Sequence, residues 1–274
     1  MRLASYNIRK CIGLDRRRDP GRTLAVLNAL DADVIALQEA DRRLGARPSA
    51  LPPAMIAAET DFQPLPLAAN EVSLGSHGNA ILLRKGLRPG ALHRIDLPGT
   101  EPRGAVAVEI GDGLRVIGVH LGLLRRDRRR QLAALAAAFD DDMPTVILGD
   151  FNEWRARAGL EPLAGRFRVH APGRSFHAAR PVAALDRIAL SDGLELRDAG
   201  VAQTAPARIA SDHLPVWAEI AATRGARLIS TSPAATSASA PHSDRPTVSP
   251  RTSQPKTTPN TGDRKAKEAT PEAG

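Results

Sequence analysis

The chain has 274 residues, 42% of them hydrophobic and 3% aromatic, and its formal net charge is +8. This length suits one large domain or two small ones, with a core of Ala, Leu, Val and Ile. Apolar runs such as Ala133–Phe139 are too short to cross a bilayer, and no signal-peptide pattern is visible, so we expect a cytoplasmic protein. The one cysteine, Cys11, excludes an intramolecular disulfide and a cysteine-built zinc site.

Short apolar runs alternate with segments of helical periodicity as far as residue 223. The predicted helices are Arg22–Leu30 and Arg128–Phe139, the second with Asp127 as its N-cap. Helices interleaved with strands indicate an α/β fold, and a Gly-Asp-Gly link between two strands indicates a hairpin and hence mixed sheets. The predicted strands are Arg2–Ile8, Asp33–Leu37, Asn79–Leu83, Ala105–Ile110, Leu114–His120, Thr145–Leu148, Leu185–Leu190 and Leu214–Ile220.

The composition changes abruptly near Thr223. From Arg224 to Gly274 the chain is dominated by Ser, Thr, Pro and Ala, and it carries eight Lys/Arg against four Asp/Glu. Such a segment cannot bury enough apolar surface to offset the entropy of ordering it. We therefore predict a folded domain over residues 1–223 and a disordered basic tail over residues 224–274, with an inert tail favoured over one that binds an acidic partner.

Polar side chains stand at the boundaries of five apolar runs. In layered α/β folds, functional groups gather where strands meet loops. Carboxylates and amides in a chain with so little cysteine suit a hard cation, Mg²⁺ or Mn²⁺ before zinc. Together with histidines they predict metal-assisted hydrolysis of a phosphate ester. The residues are Asn7, Glu39, His120, Asp150, Asn152, Asp212 and His213.

The same residues carry a resemblance to the endonuclease/exonuclease/phosphatase superfamily. The matching blocks run in order from Arg2 to about Ile220, and the resemblance implies a four-layer α/β sandwich with two central mixed sheets, the DNase I-like fold. The blocks are Ser-Tyr-Asn-Ile-Arg, Leu-Gln-Glu, Gly-Asn-Ala-Ile-Leu, Val-His-Leu, Gly-Asp-Phe-Asn, Leu-Asp-Arg-Ile and Ser-Asp-His-Leu-Pro-Val.

The resemblance implies a role for each acidic or amide group. Glu39 resembles the main metal ligand, with Asn7 beside it on metal or phosphate and Asp212 as a further metal or water ligand. Asp150 resembles the group that orients or deprotonates the attacking water. Asn152 resembles the amide that fixes a phosphate oxygen.

The histidines and the rim residues receive roles in the same way. His213 is the candidate for phosphate stabilisation or acid/base work, and Asp186 resembles the carboxylate that orients it. An Asp that accepts the imidazole N–H raises the pKa of the ring. His120 stands where the family places a side chain near the scissile phosphate. Asn79 and Arg103 are candidate substrate-binding groups at the rim.

Two basic features leave questions open. Some nucleases of the superfamily carry an acidic residue two positions after the first Asn, and Arg9 stands there, so the number of metals stays open. The run Arg125–Arg130 is typical of a nucleic-acid-binding segment. However, we favour a solvated helix face with one or two of its residues near the site.

These observations predict a phosphoesterase that depends on a divalent metal, Mg²⁺ or Mn²⁺, and acts by in-line attack of water. Phosphodiester hydrolysis of the nuclease kind is favoured. A phosphatase or phospholipase-like enzyme on lipid or small phosphate esters is the alternative, and a catalytically silent binding module is the third reading. The partner is then a phosphate ester in a nucleic acid or a lipid headgroup, and a monomer is favoured.

Overall fold

The computed structural model describes residues 1–111, 113–139, 141–155 and 158–223. The strands are β1 Arg2–Asn7, β2 Val34–Gln38, β3 Phe62–Pro64, β4 Ala80–Arg84, β5 Pro89–Leu97, β6 Arg103–Ile110, β7 Leu114–His120, β8 Thr145–Asp150, β9 Phe167–His170, β10 Asp186–Ser191, β11 Leu194–Val201 and β12 Val216–Ala222. The α-helices are α1 Pro20–Asn28, α2 Pro53–Glu59, α3 Arg125–Ala138 and α4 Ala207–Ala210.

The strands form two six-stranded mixed sheets of matching design. The first has the order β11-β12-β1-β2-β4-β3 and the second the order β5-β6-β7-β8-β10-β9. Each contains one central parallel pair, β1 with β2 and β7 with β8, and antiparallel strands flank it. A helix connects each parallel pair, as a parallel crossover requires.

The core lies in three layers between and outside the sheets. Apolar side chains of both inner faces, among them Val34 and Val146, meet between the sheets. Leu24 and Leu27 of α1 pack on the outer face of the first sheet, and Leu132 of α3 packs on the outer face of the second. Helix, sheet, sheet and helix thus form the predicted four-layer α/β sandwich of the DNase I-like kind, and the predicted fold class is confirmed.

The last strand of the domain pairs with the first. β12 lies antiparallel between β1 and β11, with Arg2 opposite Glu219 and Ser5 opposite Val216. The amino group of Met1 donates to the carbonyl oxygen of Ile220 at 3.1 Å. The centre of the first sheet is therefore assembled from residues more than 200 positions apart.

All of the predicted strands are present, with shifts of one or two residues at most ends. Asn79 precedes β4. Asp212 and His213 were expected at the start of a strand, but they lie in the loop before β12. Four strands were not predicted, namely β3, β5, β9 and β11. β3 is only three residues long, and the other three strands consist mainly of exposed or half-buried residues, so none of them forms an apolar run.

The predicted N-cap of the long arginine-rich helix was wrong. α3 begins three residues earlier, with Leu124 at the N-cap position and no side-chain cap, so Asp127 lies inside the first turn. The Asp127 carboxylate instead accepts hydrogen bonds from the backbone N–H and the hydroxyl of Thr100. Arg128 is buried with it, so this part of the arginine run is not a fully solvated face.

Other expectations concern the start of α1, the cysteine and the ends of the domain. α1 begins earlier than predicted because Asp19 caps the backbone N–H of Arg22 and Pro20 starts the helix. Cys11 is a free, fully buried thiol, and burial raises its pKa to about 11. The predicted tail 224–274 and Asp112 of the hairpin link lie outside the described residues. No described helix has the length and apolar content needed to span a membrane.

Gly149 in β8 gives a stability prediction. It has φ +153, and a Cβ there would lie 2.0 Å from the carbonyl oxygen of Val119 on the neighbouring strand. Because backbone cannot yield as a side-chain tip can, we expect Gly149→Ala to reduce the free energy of unfolding by about 2–3 kcal/mol in urea denaturation. Gly21→Ala, whose Cβ would come no closer than 3.5 Å to a neighbour, is the control. Equal stability of the two variants would contradict the strand pairing at Gly149.

Candidate active site

The predicted site residues gather at one end of the sandwich, which we call the site end. Asn7 and His120 are the last residues of β1 and β7, and Glu39 follows β2 directly. Asp150 is the last residue of β8, and the antiparallel strand β10 begins opposite it with Asp186. The parallel strands of both sheets finish here, which explains why groups far apart in the sequence converge.

The carboxylate of Asp150 lies at the centre of the site and is almost fully buried. One oxygen accepts a hydrogen bond from the amide of Asn7 at 3.1 Å and lies 3.5 Å from Nε2 of both His120 and His213. The other oxygen accepts the backbone N–H of Asn152 at 2.9 Å. This one side chain thus contacts groups from both sheets and from two loops.

His213 is held by a buried carboxylate behind it. Its Nδ1–H donates to Asp186 at 2.9 Å, and the hydroxyl of Ser175 donates to the same carboxylate oxygen. Burial alone would lower the pKa of His213, but the charges of Asp186 and Asp150 and the hydrogen bond from Nδ1 outweigh it and raise the pKa to about 9. The ring is therefore protonated at neutral pH.

His120 has the opposite protonation state. Burial lowers its pKa to about 4, and the positive charges of Arg103, His213 and Lys10 add to this effect, although Asp150 opposes it. Two imidazoles that approach the same carboxylate oxygen therefore differ by one charge. Environments that separate the pKa values of neighbouring groups in this way are typical of acid/base sites.

The two remaining acidic groups each bind a cationic side chain from one short turn. Lys10 pairs with Glu39, and the guanidinium of Arg9 lies 3.4 Å from Asp212. Residues 9–11 all have left-handed backbone conformations, with φ between 46° and 58°. The turn that follows Asn7 thus places one positive charge beside each of the two acidic side chains predicted as metal ligands, Glu39 and Asp212.

The three amide side chains predicted to contact metal or substrate also form hydrogen bonds within the protein. Asn7 accepts the backbone N–H of Arg9 at 3.1 Å in addition to its bond to Asp150. Asn152 donates from its side chain to the carbonyl oxygen of Leu121 at 2.9 Å. Asn79 donates to the carbonyl oxygen of Gly104, while its buried amide oxygen has no partner among the described residues.

Arg103 lies at the rim beside these groups. Its guanidinium pairs with Glu101 at 2.7 Å. Its charge lowers the pKa of His120, so it lies within electrostatic range of the centre of the site. Arg103 therefore forms an ion pair with Glu101 and also lies close to the centre of the site.

Among the described residues, one group of side chains has the spacing of a metal site. Ligand atoms of Asp150, Asp186 and His213 all lie within 4.8 Å of one another and are buried. However, Nδ1 of His213 carries the proton that it donates to Asp186, so that nitrogen has no lone pair for a cation. The geometry fits a hydrogen-bonded chain from Asp186 through His213 to Asp150.

Three features of the site were not predicted from the sequence. Ser175 reaches Asp186 from a loop that has no periodic pattern, and Lys10 was not singled out although it follows Arg9. The third is a buried ion pair between Arg128 and Glu153, in which Arg128 also donates to the carbonyl oxygens of Gly122 and Leu123. This pair joins the loop after His120 to the loop after Asp150.

A pair of six-stranded mixed sheets with acidic, amide and imidazole groups at one shared end is the architecture of the DNase I-like class. A comparison with family models agrees with this class. Residues 4–213 match the model of the endonuclease/exonuclease/phosphatase family, and the chain belongs to this family. Members of the family are phosphoesterases that generally depend on a divalent metal.

The chain is similar to several known proteins. It is 35% identical over 164 residues to the Escherichia coli protein YbhP, a match that covers 53% of this chain and 63% of the relative. The chain thus spans less than two thirds of that relative.

Two solved structures show the same fold. An endonuclease/exonuclease/phosphatase from Beutenbergia cavernae has a TM-score of 0.65 at 22% identity and covers 81% of this chain and 71% of its own. A mannosyl-6-phosphatase from Bacteroides thetaiotaomicron has a TM-score of 0.64 at 15% identity and covers 81% and 99%.

The buried ion pair between Arg128 and Glu153 gives a prediction that needs no substrate. Arg128→Ala leaves a buried carboxylate without its cation, so we expect a loss of about 3 kcal/mol of unfolding free energy in urea. Removing Glu153 as well, in Arg128→Ala/Glu153→Gln, should cost less than the sum of the single changes. Arg129→Ala removes an exposed arginine 3.9 Å from Glu161 and should cost less than about 0.5 kcal/mol. Strict additivity would show that the pair does not couple the loops.

Proposed function

We propose that this protein is a divalent-metal-dependent phosphodiesterase that hydrolyses its substrate by in-line attack of water. The observation that carries the proposal is the Asp150 carboxylate, which is fixed by two N–H donors and lies 3.5 Å from one protonated and one neutral histidine. Such a set can orient a water molecule, accept its proton and stabilise negative charge on a phosphate.

The cation would be held by Glu39 and Asp212, with the amide oxygen of Asn7 beside them. Carboxylate and amide oxygens are hard donors that favour Mg²⁺ or Mn²⁺, and both carboxylates already attract a side-chain cation in this structure. When bound, such an ion supplies Lewis-acid polarisation of a phosphoryl oxygen and stabilises the developing charge.

Asp150 and His213 have different roles around the phosphorus atom. The two N–H groups that bind Asp150 fix its orientation, so its free lone pairs can accept a proton from the attacking water. His213, kept protonated by Asp186, can donate a hydrogen bond to a phosphate oxygen as charge builds up there. Ser175 fixes the Asp186 carboxylate and thereby the ring of His213.

The remaining groups position the substrate. His120 is neutral and can make one directional hydrogen bond to a phosphate oxygen or a water without adding charge. Asn152 would hold a phosphate oxygen with the part of its amide that does not bind Leu121. The buried amide oxygen of Asn79 and the guanidinium of Arg103 would complete the rim, with Arg103 exchanging Glu101 for a phosphate oxygen.

The activity itself is tested with a diester and a monoester of the same leaving group. We expect hydrolysis of bis(p-nitrophenyl) phosphate with Mg²⁺ or Mn²⁺, loss of that activity with EDTA, and weaker turnover of p-nitrophenyl phosphate. Asp150→Asn removes the proton acceptor and should reduce kcat about 100-fold or more. Preference for the monoester would favour the phosphatase alternative, and full activity in EDTA or in Asp150→Asn would overturn the mechanism.

The metal role of Glu39 is tested by substitution. Glu39→Gln should weaken Mg²⁺ binding about tenfold or more in isothermal titration calorimetry, because a neutral amide replaces a charged ligand. Activity at low Mg²⁺ should fall and recover in part at high Mg²⁺. Glu59→Gln, an exposed position at the end of α2, is the matched control and should leave both unchanged. Unaltered Mg²⁺ affinity in Glu39→Gln would remove Glu39 from the metal site.

A further inference from the structure

Exposed large hydrophobic side chains occur at only one end of the described domain. Each lies in a segment that follows a parallel strand or precedes an antiparallel strand at the site end, and six of the seven are outside helices, Ile209 being in α4. The loops at the opposite end carry none among the described residues. Scattered exposed apolar side chains are ordinary, but a one-sided set marks an interaction surface. The exposed side chains are Leu44, Val72, Leu123, Leu124, Trp154, Val182 and Ile209.

Four of these side chains lie on three site-end loops that are linked to one another, and we call them the apolar rim: Leu123, Leu124, Trp154 and Val182. The Arg128 guanidinium binds both the Leu123 carbonyl oxygen and the Glu153 carboxylate, so the backbones of these loops adjoin.

The other side of the apolar rim is connected through Phe176. The rings of Trp154 and Phe176 meet edge to face at 5.9 Å, and the backbone N–H of Val182 donates to the carbonyl oxygen of Phe176 at 2.6 Å. Phe176 in turn lies 5.1 Å from the ring of His213. The apolar rim therefore reaches the catalytic histidine through one aromatic ring.

Positive charge surrounds the apolar rim. Leu123 and Leu124 are followed at once by the start of α3, where four arginines are exposed. Arg125 and Arg129 share the carboxylate of Glu161 at 3.4 and 3.9 Å, and Arg126 lies 3.5 Å from Asp127. Four exposed arginines thus face two carboxylates, so the cluster keeps a positive excess. Exposed arginines also occur on the other site-end loops. They are Arg16, Arg17, Arg18, Arg42, Arg43, Arg155, Arg174 and Arg180.

We propose that the site end docks on the surface of an anionic lipid bilayer, with the apolar rim inserted among the acyl chains and the arginines at the headgroups. Aliphatic side chains flanked by arginines, with a tryptophan among them, match the depth profile of a membrane interface. A nucleic acid would use the same arginines but would need aromatic platforms for its bases. Six of the seven exposed side chains are aliphatic, which favours the bilayer.

Docking in this orientation would bring the catalytic groups to the phosphodiesters of lipid headgroups. This consequence for the substrate rests on the proposed phosphodiesterase function, whereas membrane binding does not. Binding is therefore measured without turnover, with EDTA present, so that a failure of one proposal can be told from a failure of the other.

Insertion is tested with the two tryptophans of the chain. Trp217 lies in β12 under the guanidinium of Arg2 at 4.1 Å, away from the apolar rim. In the full-length chain, Trp217→Phe leaves Trp154 as the only reporter, and its emission should shift to the blue with phosphatidylglycerol vesicles. Trp154→Phe leaves Trp217, whose emission should stay unchanged. A shift of Trp217 alone, or no shift of Trp154, would overturn the proposed orientation.

Surface variants test which groups provide the affinity. In vesicle sedimentation, Leu123→Ser/Leu124→Ser and Arg125→Ser/Arg126→Ser should each reduce binding to phosphatidylglycerol vesicles about tenfold or more. Arg88→Ser/Arg197→Ser removes two exposed arginines from the opposite end and should change binding less than about twofold. All variants keep the basic segment 224–274, so its contribution is the same in each.

Three outcomes would contradict the proposal. Equal binding of all surface variants would assign the affinity to charge elsewhere in the chain. Equal binding to phosphatidylcholine vesicles would remove the role of the arginines. Tight binding of single-stranded DNA that is lost in Trp154→Ala, without vesicle binding, would identify the rim as a base-stacking surface. Circular dichroism and melting temperatures equal to those of the unmodified chain confirm that each variant is folded.

Discussion

A buried carboxylate at the end of β8 is the constraint around which the rest of the site is arranged. A charge taken out of water is tolerated only if hydrogen bonds and opposite charges replace its hydration. For Asp150 these come from the amide of Asn7 in the first sheet, from the backbone of Asn152, and from His213. The two sheets therefore have to pack in one relative position for this group to be satisfied, and that position is also the one that assembles the site.

The same carboxylate accounts for the contrast between the two histidines. Both approach it at 3.5 Å and both are buried, so its charge acts on each of them. The two rings differ in their other charged neighbours. His213 has Asp186 on its other nitrogen, whereas the further charges that act on His120 are positive. At His213 the carboxylates of Asp186, Asp150 and Asp212 together outweigh burial, whereas at His120 Asp150 does not. The result is a pair of rings that can serve different functions at one pH.

The sequence allowed the fold class to be predicted, and also that the candidate site residues would gather at strand ends. Buried strands appear in the sequence as apolar runs, and the polar residue that ends such a run is easily recognised. Glu39 and Asp150 were visible for this reason. Edge strands such as β5 and β11 were not, since exposed strands need no apolar run. Asp127 was mistaken for a cap because its true partner, Thr100, is distant in sequence. Ser175 and Lys10 act through tertiary contacts that no local pattern records.

The pairing of β12 with β1 has a consequence for how the chain becomes folded. Until residues 216–222 have been synthesised, β1 has a neighbour on one side only, and β11 has none in its sheet. The first sheet can therefore close only after residue 222 has been synthesised, while the second sheet, which needs nothing beyond residue 191, can form earlier. Contacts over such long separations slow folding and leave strand edges open for association in the meantime. The order of events on the ribosome would thus run from the second sheet to the first, against the order of the sequence.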